Sequence, residues 1–415
     1  MRKNGVDKNL TVIEGGVCAP QGFAASGVHC GIRKNKTKKD LALIVADKKC
    51  ATACVYTTNL VKGAPILVTK KNVADGYAQA VIVNSGNANT CNANGVEIAQ
   101  GMCELVEKHC GIKASDVVVA STGVIGQPLS LEPIAGGMAE LCAGLEKGAA
   151  GSAAAAQAIM TTDTVPKELS YEFYLGDYKC RIGAICKGVG MICPNMATML
   201  MFVTTDANIS PEMLQKALSA DVKDSLNMVS VDRDTSTNDT LCIMASGLAG
   251  NAIIDKPDTE YKKFCRALHA VTSQMCRKIA ADGEGATKLI ECKVSGAKSK
   301  QVARTVAKSV VCSDLLKAAM FGADANWGRV LCAIGYSGAD VDVDKIGVAF
   351  QSAAGKIQVC EEGRGIPFSE EIAKKILLEK EIEILVELND GNYTSVGWGC
   401  DLTYEYVHIN GDYRS

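Results

Sequence analysis

The sequence predicts an α+β or mixed αβ protein, because short runs typical of strands alternate with segments of helical periodicity along the whole chain. At 415 residues the chain is long for a single core, so two domains or two large lobes are expected. The predicted strands are 41–45, 80–83, 117–120, 171–175, 179–185, 198–205, 289–294, 357–360 and 382–388, and the predicted helices are 131–145, 153–160, 210–226 and 261–281.

Two local signals support individual elements. Ser210-Pro211-Glu212 combines an N-cap residue, a proline at the first helical position and an early acidic residue, which predicts a helix start. Gly176-Asp177 separates two strand-like runs and predicts a hairpin that leads into the loop after Lys187.

Composition and charge exclude several classes of protein. The net charge is -2, and only one short basic stretch occurs, so no field for nucleic acid or a membrane surface is indicated. Nothing approaches the roughly 18 consecutive apolar residues of a membrane span, and the first residues lack the apolar core of a signal peptide. A cytoplasmic protein without nucleic-acid or membrane partners is therefore expected.

The 19 cysteines require an interpretation of their own. Their number is odd and no Cys-x-x-Cys occurs, so neither a disulfide framework nor a metal site is predicted. Many stand where a small apolar residue would serve, for example Cys142, Cys265 and Cys332, which predicts reduced, buried thiols. The four histidines lie beside no serine or cysteine elbow motif, so a Ser-His-Asp or Cys-His mechanism has little support.

The most informative segment runs from Lys187 to Leu200 and reads Lys-Gly-Val-Gly-Met-Ile-Cys-Pro-Asn-Met-Ala-Thr-Met-Leu. Glycines and a proline followed by apolar residues also describe an inert loop and strand. A cut between Ala197 and Thr198, however, would free an α-amino group beside the Thr198 hydroxyl. Such an amine has a pKa of about 7.7 to 8.0 and can accept a proton near neutral pH. Thr198 would then be nucleophile and base at once.

This segment resembles the cleavage-site motif of the ArgJ family, and similar segments extend from Gly16 to Ser415. The resemblance implies an ArgJ-type (DmpA/ArgJ-like) mixed αβ fold. It also implies self-cleavage into an alpha chain, 1–197, and a beta chain, 198–415, with the nucleophile at the beta chain's N-terminus. The two chains are expected to stay interwoven and to assemble as a heterotetramer.

A second motif lies in 117–126, an apolar strand that ends in Ser-Thr-Gly. Taken alone, it is a plain strand-to-helix turn. In the ArgJ family the Thr-Gly pair forms the oxyanion hole, so the resemblance assigns that role to Thr122 and Gly123. Backbone N–H groups can approach a ligand closely at glycine.

The substrate-binding residues follow from the same resemblance. The resemblance implies a substrate derived from ornithine. Such a substrate needs a cation for its carboxylate and a carboxylate for its ammonium, and Lys187 and Glu284 fit these roles. Either residue alone is more often a surface charge. The family match adds the three residues Thr161, Asn410 and Ser415, together with Thr198 itself. A role for the C-terminus requires it to be held in place, and 404–407 is expected to be a strand leading inward.

Two further loops carry polar side chains. The loop 84–90 has several amides and hydroxyls, which turn chemistry largely explains. The segment 232–240 resembles a family segment that usually carries glycine where Arg233 stands, and it is interpreted as structural and near the site.

The resemblance implies a glutamate N-acetyltransferase (ornithine acetyltransferase) of arginine biosynthesis. It would move the acetyl group of N2-acetyl-L-ornithine to L-glutamate through an acetyl-Thr198 intermediate. No cofactor or metal is expected, and whether acetyl-CoA also serves as donor, as in an amino-acid N-acetyltransferase, stays open. The alternative is an N-terminal-nucleophile aminopeptidase or amidohydrolase, which would release the acyl group to water and would not need Lys187 with Glu284. A thiol-rich binding protein rests on the cysteine count alone.

Overall fold

The computed structural model describes residues 10–192 and 199–411. Its strands are β1 Thr11–Ile13, β2 Phe23–Val28, β3 Leu41–Tyr56, β4 Tyr77–Asn87, β5 Val117–Val124, β6 Lys167–Leu175, β7 Tyr178–Lys187, β8 Leu200–Thr205, β9 Val229–Ser230, β10 Thr240–Ala245, β11 Leu289–Ala297, β12 Gly347–Ser352, β13 Gly355–Glu361, β14 Arg364–Gly365, β15 Glu381–Glu387 and β16 Tyr393–Cys400. The α-helices are α1 Ala64–Asn72, α2 Gly95–Cys110, α3 Glu132–Ala143, α4 Ala149–Ala158, α5 Pro211–Asp221, α6 Thr259–Ala281, α7 Lys300–Val311, α8 Asp314–Phe321, α9 Trp327–Gly335, α10 Glu370–Leu377 and α11 Tyr404–Gly411. This element content confirms the predicted mixed αβ class.

The described chain forms two compact units. The first contains 10–188, 199–222 and 235–275, and the second contains 189–192, 223–234 and 276–411. Each unit combines segments from both sides of Ala197 and Thr198. The alpha and beta chains, 1–197 and 198–415, therefore do not coincide with the two units, and their boundary stays a prediction about processing.

One sheet dominates the first unit. Nine of its described strands form this sheet in the order β1-β6-β7-β8-β10-β3-β4-β5, with β2 also paired to β3. Strand β8 pairs antiparallel with β7 and parallel with β10, and β10 pairs antiparallel with β3. The two strands that follow residue 198 are thus flanked on both sides by strands that precede it.

The long strand β3 joins two parts of this sheet. Its beginning, from Leu41 to Val45, pairs with β4, whereas 51–56 pair with β10. The register with β4 shifts between Val45 and Cys50. An irregularity of this kind bends a strand and increases its twist, so β3 redirects the sheet between its two halves.

The core of the first unit lies on both faces of the sheet, because successive side chains of a strand point to opposite faces. On β3, Leu41 and Leu43 pack into a buried cluster with residues of α2 and α3. Ala42 and Ile44 pack on the other face into a cluster with residues of α4. Both faces are therefore apolar, which is why 41–45 reads as a continuous hydrophobic run rather than an alternating one.

The second unit has its own sheet, in which the described strands run in the order β14-β13-β12-β15-β11-β16-β9. Strand β11 pairs parallel with β15 and antiparallel with β16. Helix α7 packs on β11 and β16, and its Ser299 N-cap hydroxyl accepts the N–H of Val302 at 3.2 Å. The loop after α6 and helix α11 also belong to this unit.

Most of the predicted elements are found, and the two local signals are confirmed. Leu175 pairs with Tyr178 across Gly176-Asp177, as expected for a hairpin. The Ser210 hydroxyl accepts the N–H of Met213 at 3.3 Å, so α5 begins where the N-cap predicted. Helix α5 ends at Asp221, however, and not near residue 226.

Two predictions were wrong. Residues 404–407 lie in helix α11 and not in an inward strand, because four alternating residues are too few to separate the two periodicities. The expectation of buried thiols fails for Cys332, which is exposed, and in part for Cys142 and Cys265, which are half-buried. Helix α9 turns Cys332 away from its own buried face, which carries Val330, Ala333 and Ile334.

Within the described residues, none of the helices combines the length and the apolar character needed to cross a bilayer.

Candidate active site

The proposed oxyanion turn lies at the end of β5 in the first unit. Gly123 has φ +131°, and a Cβ at this position would lie 2.3 Å from the backbone carbon of Gly86 on the neighbouring strand β4. Only glycine fits so close to that strand. The close contact of this turn with strand β4 therefore depends on the glycine at position 123.

Lys187 meets this turn from the end of β7. Its ammonium Nζ donates to Thr122 Oγ1 at 3.2 Å, and Lys187 is only 8% exposed. The structure thus brings together three residues that the sequence named from separate motifs, Lys187, Thr122 and Gly123. Since the Thr122 oxygen accepts this bond, its own hydroxyl proton is available to donate elsewhere.

Thr161 is connected to the same strand end through Asp163. The backbone N–H of Thr161 donates to Asp163 Oδ2 at 3.0 Å, and the N–H of Gly188 donates to Asp163 Oδ1 at 3.0 Å. Lys167 Nζ forms an ion pair with Asp163 Oδ1 at 2.7 Å. Asp163 therefore ties the Thr161 loop and the end of β7 to one buried carboxylate, for which no role was predicted from the sequence.

The loop 84–90 and the segment 232–240 are held together by Asn238. Its amide Nδ2 donates to the carbonyl of Ala88 at 2.5 Å and to that of Ser121 at 3.0 Å. Its Oδ1 accepts the Thr90 hydroxyl at 2.6 Å. Because Ser121 directly precedes Thr122, this network connects the loop 84–90 and residues 235–240 to the proposed oxyanion turn.

The neighbouring Asp239 is a buried acid that sequence reasoning missed. Burial raises the pKa of its carboxyl well above the usual range, although interactions with Ser236, Lys187, the Met199 N–H and Thr57 oppose this shift. Its Oδ2 has no hydrogen-bond partner in the structure described. The carboxyl lies beside Met199, the residue after Thr198, and nothing in the sequence signals that this aspartate is buried.

We expect Asp239→Asn to stabilise the protein increasingly as the pH rises. The stability associated with a carboxyl whose pKa is raised by folding is fully present below its unfolded pKa, about 3.9 for aspartate. The free energy of unfolding then falls as the pH climbs from that value toward the pKa in the folded protein. Asparagine does not ionise, so the difference in Tm between variant and wild type should grow from pH 5 toward pH 8, as measured by thermal scans. The exposed Asp47→Asn controls for the loss of one carboxylate. A difference that stays constant or shrinks over this range contradicts the expectation.

Glu284 and Asn410 meet in the second unit. Asn410 Nδ2 donates to Glu284 Oε2 at 2.8 Å, and the Glu284 N–H donates to the Val189 carbonyl at 2.8 Å. The carboxylate lies so close to Gly190 that a Cβ there would stand 2.2 Å from Oε2. Glu284 itself is 8% exposed. The two residues assigned to substrate binding in this unit are therefore direct partners.

The same unit holds residues 189–192 of the cleavage segment. The Asp232 carboxylate accepts the N–H groups of Met191 and Ile192 at 2.6 and 2.7 Å. Tyr406 on α11 donates its hydroxyl to Asp232 at 3.3 Å. Met191 has φ +55°, which is uncommon for a residue with a side chain. Asp232 thus fixes the backbone shortly before the predicted cut.

Arg233 occupies the position where the family segment usually carries glycine. Its φ is +68°, in the left-handed region that favours glycine. Its guanidinium pairs with Asp314 at 2.6 Å on the surface. The structure thereby gives a backbone reason for the usual glycine.

Three of the predicted site residues, Ala197, Thr198 and Ser415, lie outside the described residues. Among the residues described, no group of three or more His, Cys, Asp or Glu side chains is placed to hold a metal ion. The expectation that no metal or cofactor is needed stays a prediction.

Comparison with known proteins gives the family. The model of the ArgJ family matches residues 24–415. The chain belongs to the ArgJ family. This membership confirms the resemblance first seen in the segment from Lys187 to Leu200.

Curated relatives of this ArgJ family member match over nearly their whole length. The arginine biosynthesis bifunctional protein ArgJ 1 of Clostridium acetobutylicum is 50% identical over 394 residues, which cover 95% of this chain and 96% of the relative. The corresponding protein of Caldanaerobacter subterraneus subsp. tengcongensis is 46% identical, with coverage of 98% and 100%. A crystal structure of arginine biosynthesis bifunctional protein argJ from Bacillus halodurans is 49% identical and matches with a TM-score of 0.49. The match covers 52% of this chain and 99% of the chain in that structure.

Proposed function

We infer that this ArgJ family member is an enzyme of arginine biosynthesis, a glutamate N-acetyltransferase that takes its acetyl group from N2-acetyl-L-ornithine. The family match over residues 24–415 supports the reaction class. The structural observation that carries the proposal is the hydrogen bond of 3.2 Å between Lys187 Nζ and Thr122 Oγ1. It places a cation directly beside the turn that is proposed to bind the oxyanion.

The first half-reaction makes an acetyl ester. The Thr198 hydroxyl attacks the acetyl carbonyl while the α-amine of Thr198 takes up the hydroxyl proton. The tetrahedral oxyanion receives hydrogen bonds from the Thr122 hydroxyl and the Gly123 N–H. Collapse of this intermediate breaks the amide bond, and the amine returns the proton to the departing ornithine.

The second half-reaction transfers the acetyl group onward. The amino group of glutamate attacks the ester carbonyl, and the oxyanion of the tetrahedral intermediate is bound in the same oxyanion hole. The α-amine of Thr198 takes a proton from the attacking nitrogen and passes it to the Thr198 oxygen as the ester C–O bond breaks, which releases N-acetylglutamate and restores the hydroxyl. This order of events is a ping-pong mechanism. Whether acetyl-CoA can load Thr198 in place of N-acetylornithine is decided by supplying each donor separately.

Substrate binding is proposed to use opposite charges. Lys187 binds the α-carboxylate of the substrate, and Glu284 binds the side-chain ammonium of ornithine. Thr161, Asn410 and Ser415 complete the binding residues. In support, Lys187 Nζ lies at the proposed oxyanion turn, 3.2 Å from Thr122 Oγ1. Asn410 already orients the Glu284 carboxylate at 2.8 Å.

The proposal is tested by mass spectrometry and product analysis. The purified enzyme is incubated with N-acetylornithine alone and then with glutamate. The expected result is a fragment that begins at Thr198 and carries one acetyl group, followed by transfer of that group to glutamate. Release of free acetate in place of N-acetylglutamate would instead identify an amidohydrolase. Absence of both products would refute an acyl-transfer function.

We further propose that alpha and beta chains assemble as a heterotetramer and that the enzyme acts in the cytoplasm on these small molecules. A reducing compartment would keep its many thiols free. Size-exclusion chromatography with light scattering tests the assembly.

The C-terminal tail provides a prediction for the binding residues. Deletion of 412–415 removes Ser415 but leaves Asn410 on Glu284, so we expect a higher KM for N-acetylornithine with normal self-cleavage. Steady-state kinetics of the fully processed enzyme measures this effect, with Ser415→Ala as the matched point variant. If both variants keep the wild-type KM, Ser415 belongs to an ordinary chain end.

A further inference from the structure

Asp163 follows Thr161 in the Met-Thr-Thr-Asp motif and has no role in the mechanism above. It is 5% exposed, and its neighbour Lys167 is 1% exposed. Burial by itself would raise the pKa of Asp163, but the ammonium groups of Lys187 and Lys167 outweigh burial and hold this pKa at about 2. The carboxylate is therefore ionised at any pH at which the enzyme works.

Its two oxygens are used in different directions. Oδ1 accepts both the Lys167 ammonium at 2.7 Å and the Gly188 N–H at 3.0 Å, while Oδ2 accepts the Thr161 N–H at 3.0 Å. Gly188 follows Lys187, and Thr161 is a proposed binding residue. One carboxylate thus holds the backbone at Thr161 and directly after Lys187, two of the proposed binding residues.

The charges around Lys187 explain why this matters. Asp163 and Asp239 both act on Lys187 electrostatically, and Asp163 forms an ion pair with Lys167 at 2.7 Å. Burial raises the pKa of Asp239, whereas the Lys187 and Lys167 ammonium groups hold the pKa of Asp163 at about 2, so Asp163 is the stronger acid of the two. Without Asp163, the repulsion between the buried ammonium groups of Lys187 and Lys167 would no longer be offset by this carboxylate.

We propose that Asp163 is a positioning residue for substrate binding, which keeps the Lys187 ammonium charged and aimed by balancing Lys167 and by holding Gly188 and Thr161. This inference rests on the proposed function, since it assigns the substrate carboxylate to Lys187. The proposed role of Asp163 is exerted through Lys187 and Thr161.

The test measures inhibition as a function of pH. N-acetyl-L-norvaline carries the carboxylate and stem of N-acetylornithine without the side-chain ammonium, so its Ki reports on the carboxylate partner alone. In the wild type, the pH at which Ki begins to rise marks the loss of the proton from the cation that binds the carboxylate. In Asp163→Asn this rise should begin about one unit or more lower, because loss of an opposite charge at close range shifts a titration by 1 to 3 units.

Variants at Lys167 separate positioning from mere structural support. Lys167→Met removes the competing cation, so the rise in Ki should stay at or above the wild-type pH. The double variant D163N/K167M removes both charges. The pH at which its Ki begins to rise should lie closer to the wild-type value than to that of D163N. Asp206→Asn is the control, because Asp206 also accepts two backbone N–H groups, from Arg181 at 2.6 Å and Gln21 at 3.1 Å, without a lysine partner.

The outcomes are decisive in both directions. A D163N profile identical to wild type, or a double variant worse than D163N, overturns the proposal. If D163N does not fold, the K167M variant decides. A rise in Ki that begins at a lower pH than in the wild type overturns the proposal, and a rise that begins at or above the wild-type pH supports it. Failure of the proposed function looks different, because the wild type itself would then transfer no acetyl group.

Discussion

Thr198→Ala is expected to remain one polypeptide of 415 residues and to lose acetyl transfer altogether. In self-cleavage, the Thr198 hydroxyl attacks the Ala197 carbonyl and the peptide nitrogen leaves, which gives an ester and a free α-amine. Water then hydrolyses the ester and restores the hydroxyl. Alanine has no hydroxyl for either this step or the later acetyl ester, so both activities disappear together.

A denaturing gel and intact-mass spectrometry measure this result. Thr198→Ser, which keeps a hydroxyl at the same carbon, is the matched control and should still yield two fragments meeting at residues 197 and 198. Two bands for the alanine variant would show that another residue cuts the chain. Normal acetyl transfer by an uncut protein would show that the new amine is not the base.

The second large effect is expected for Thr122→Ala, which should lower kcat by about a hundredfold to a thousandfold, the usual effect of losing one oxyanion donor. The contact with Lys187 determines where the Thr122 hydroxyl proton can point. Because Thr122 Oγ1 accepts from Lys187 Nζ at 3.2 Å, the hydroxyl proton points elsewhere and can stabilise the oxyanion. The effect should fall on kcat more than on KM, since the oxyanion exists only during the reaction.

Thr122→Ser keeps this hydroxyl and is expected to stay near wild type, which separates hydrogen bonding from packing of the methyl group. Kinetics are measured on protein shown by mass to be fully processed, since the same donors can serve cleavage. Near-normal turnover in processed Thr122→Ala would remove Thr122 from the oxyanion hole.

Much of the fold was predictable because its strands are short apolar runs bounded by turn residues. Strands β7 and β8 and the turn at Gly176-Asp177 are examples. Strand β10, Thr240–Ala245, was missed although it is central, since Cys, Met and Ala in its sequence are not distinctive of strands. Helix α11 was mistaken for a strand over four residues, a length at which the two periodicities cannot be told apart.

The site was predictable only where the residues form a motif. Thr122, Gly123, Lys187 and Glu284 came from the family resemblance, and the structure adds what surrounds them. Asp163 and Asp239 could not be found in this way, because a sequence does not show which carboxylates are buried. Their environment depends on segments distant in sequence, such as Lys187 and Thr57 around Asp239.

The position of β8 and β10 between β7 and β3 has a consequence for the life of the protein in the cell. The sheet around Met199 is complete only when residues up to Ala245 have been synthesised, so this part of the fold cannot be completed early in translation. After the cut, neither product could leave without exposing the strand edges of the other. We therefore expect the two products to remain associated and to be degraded together. Their half-lives in a pulse-chase experiment should be equal.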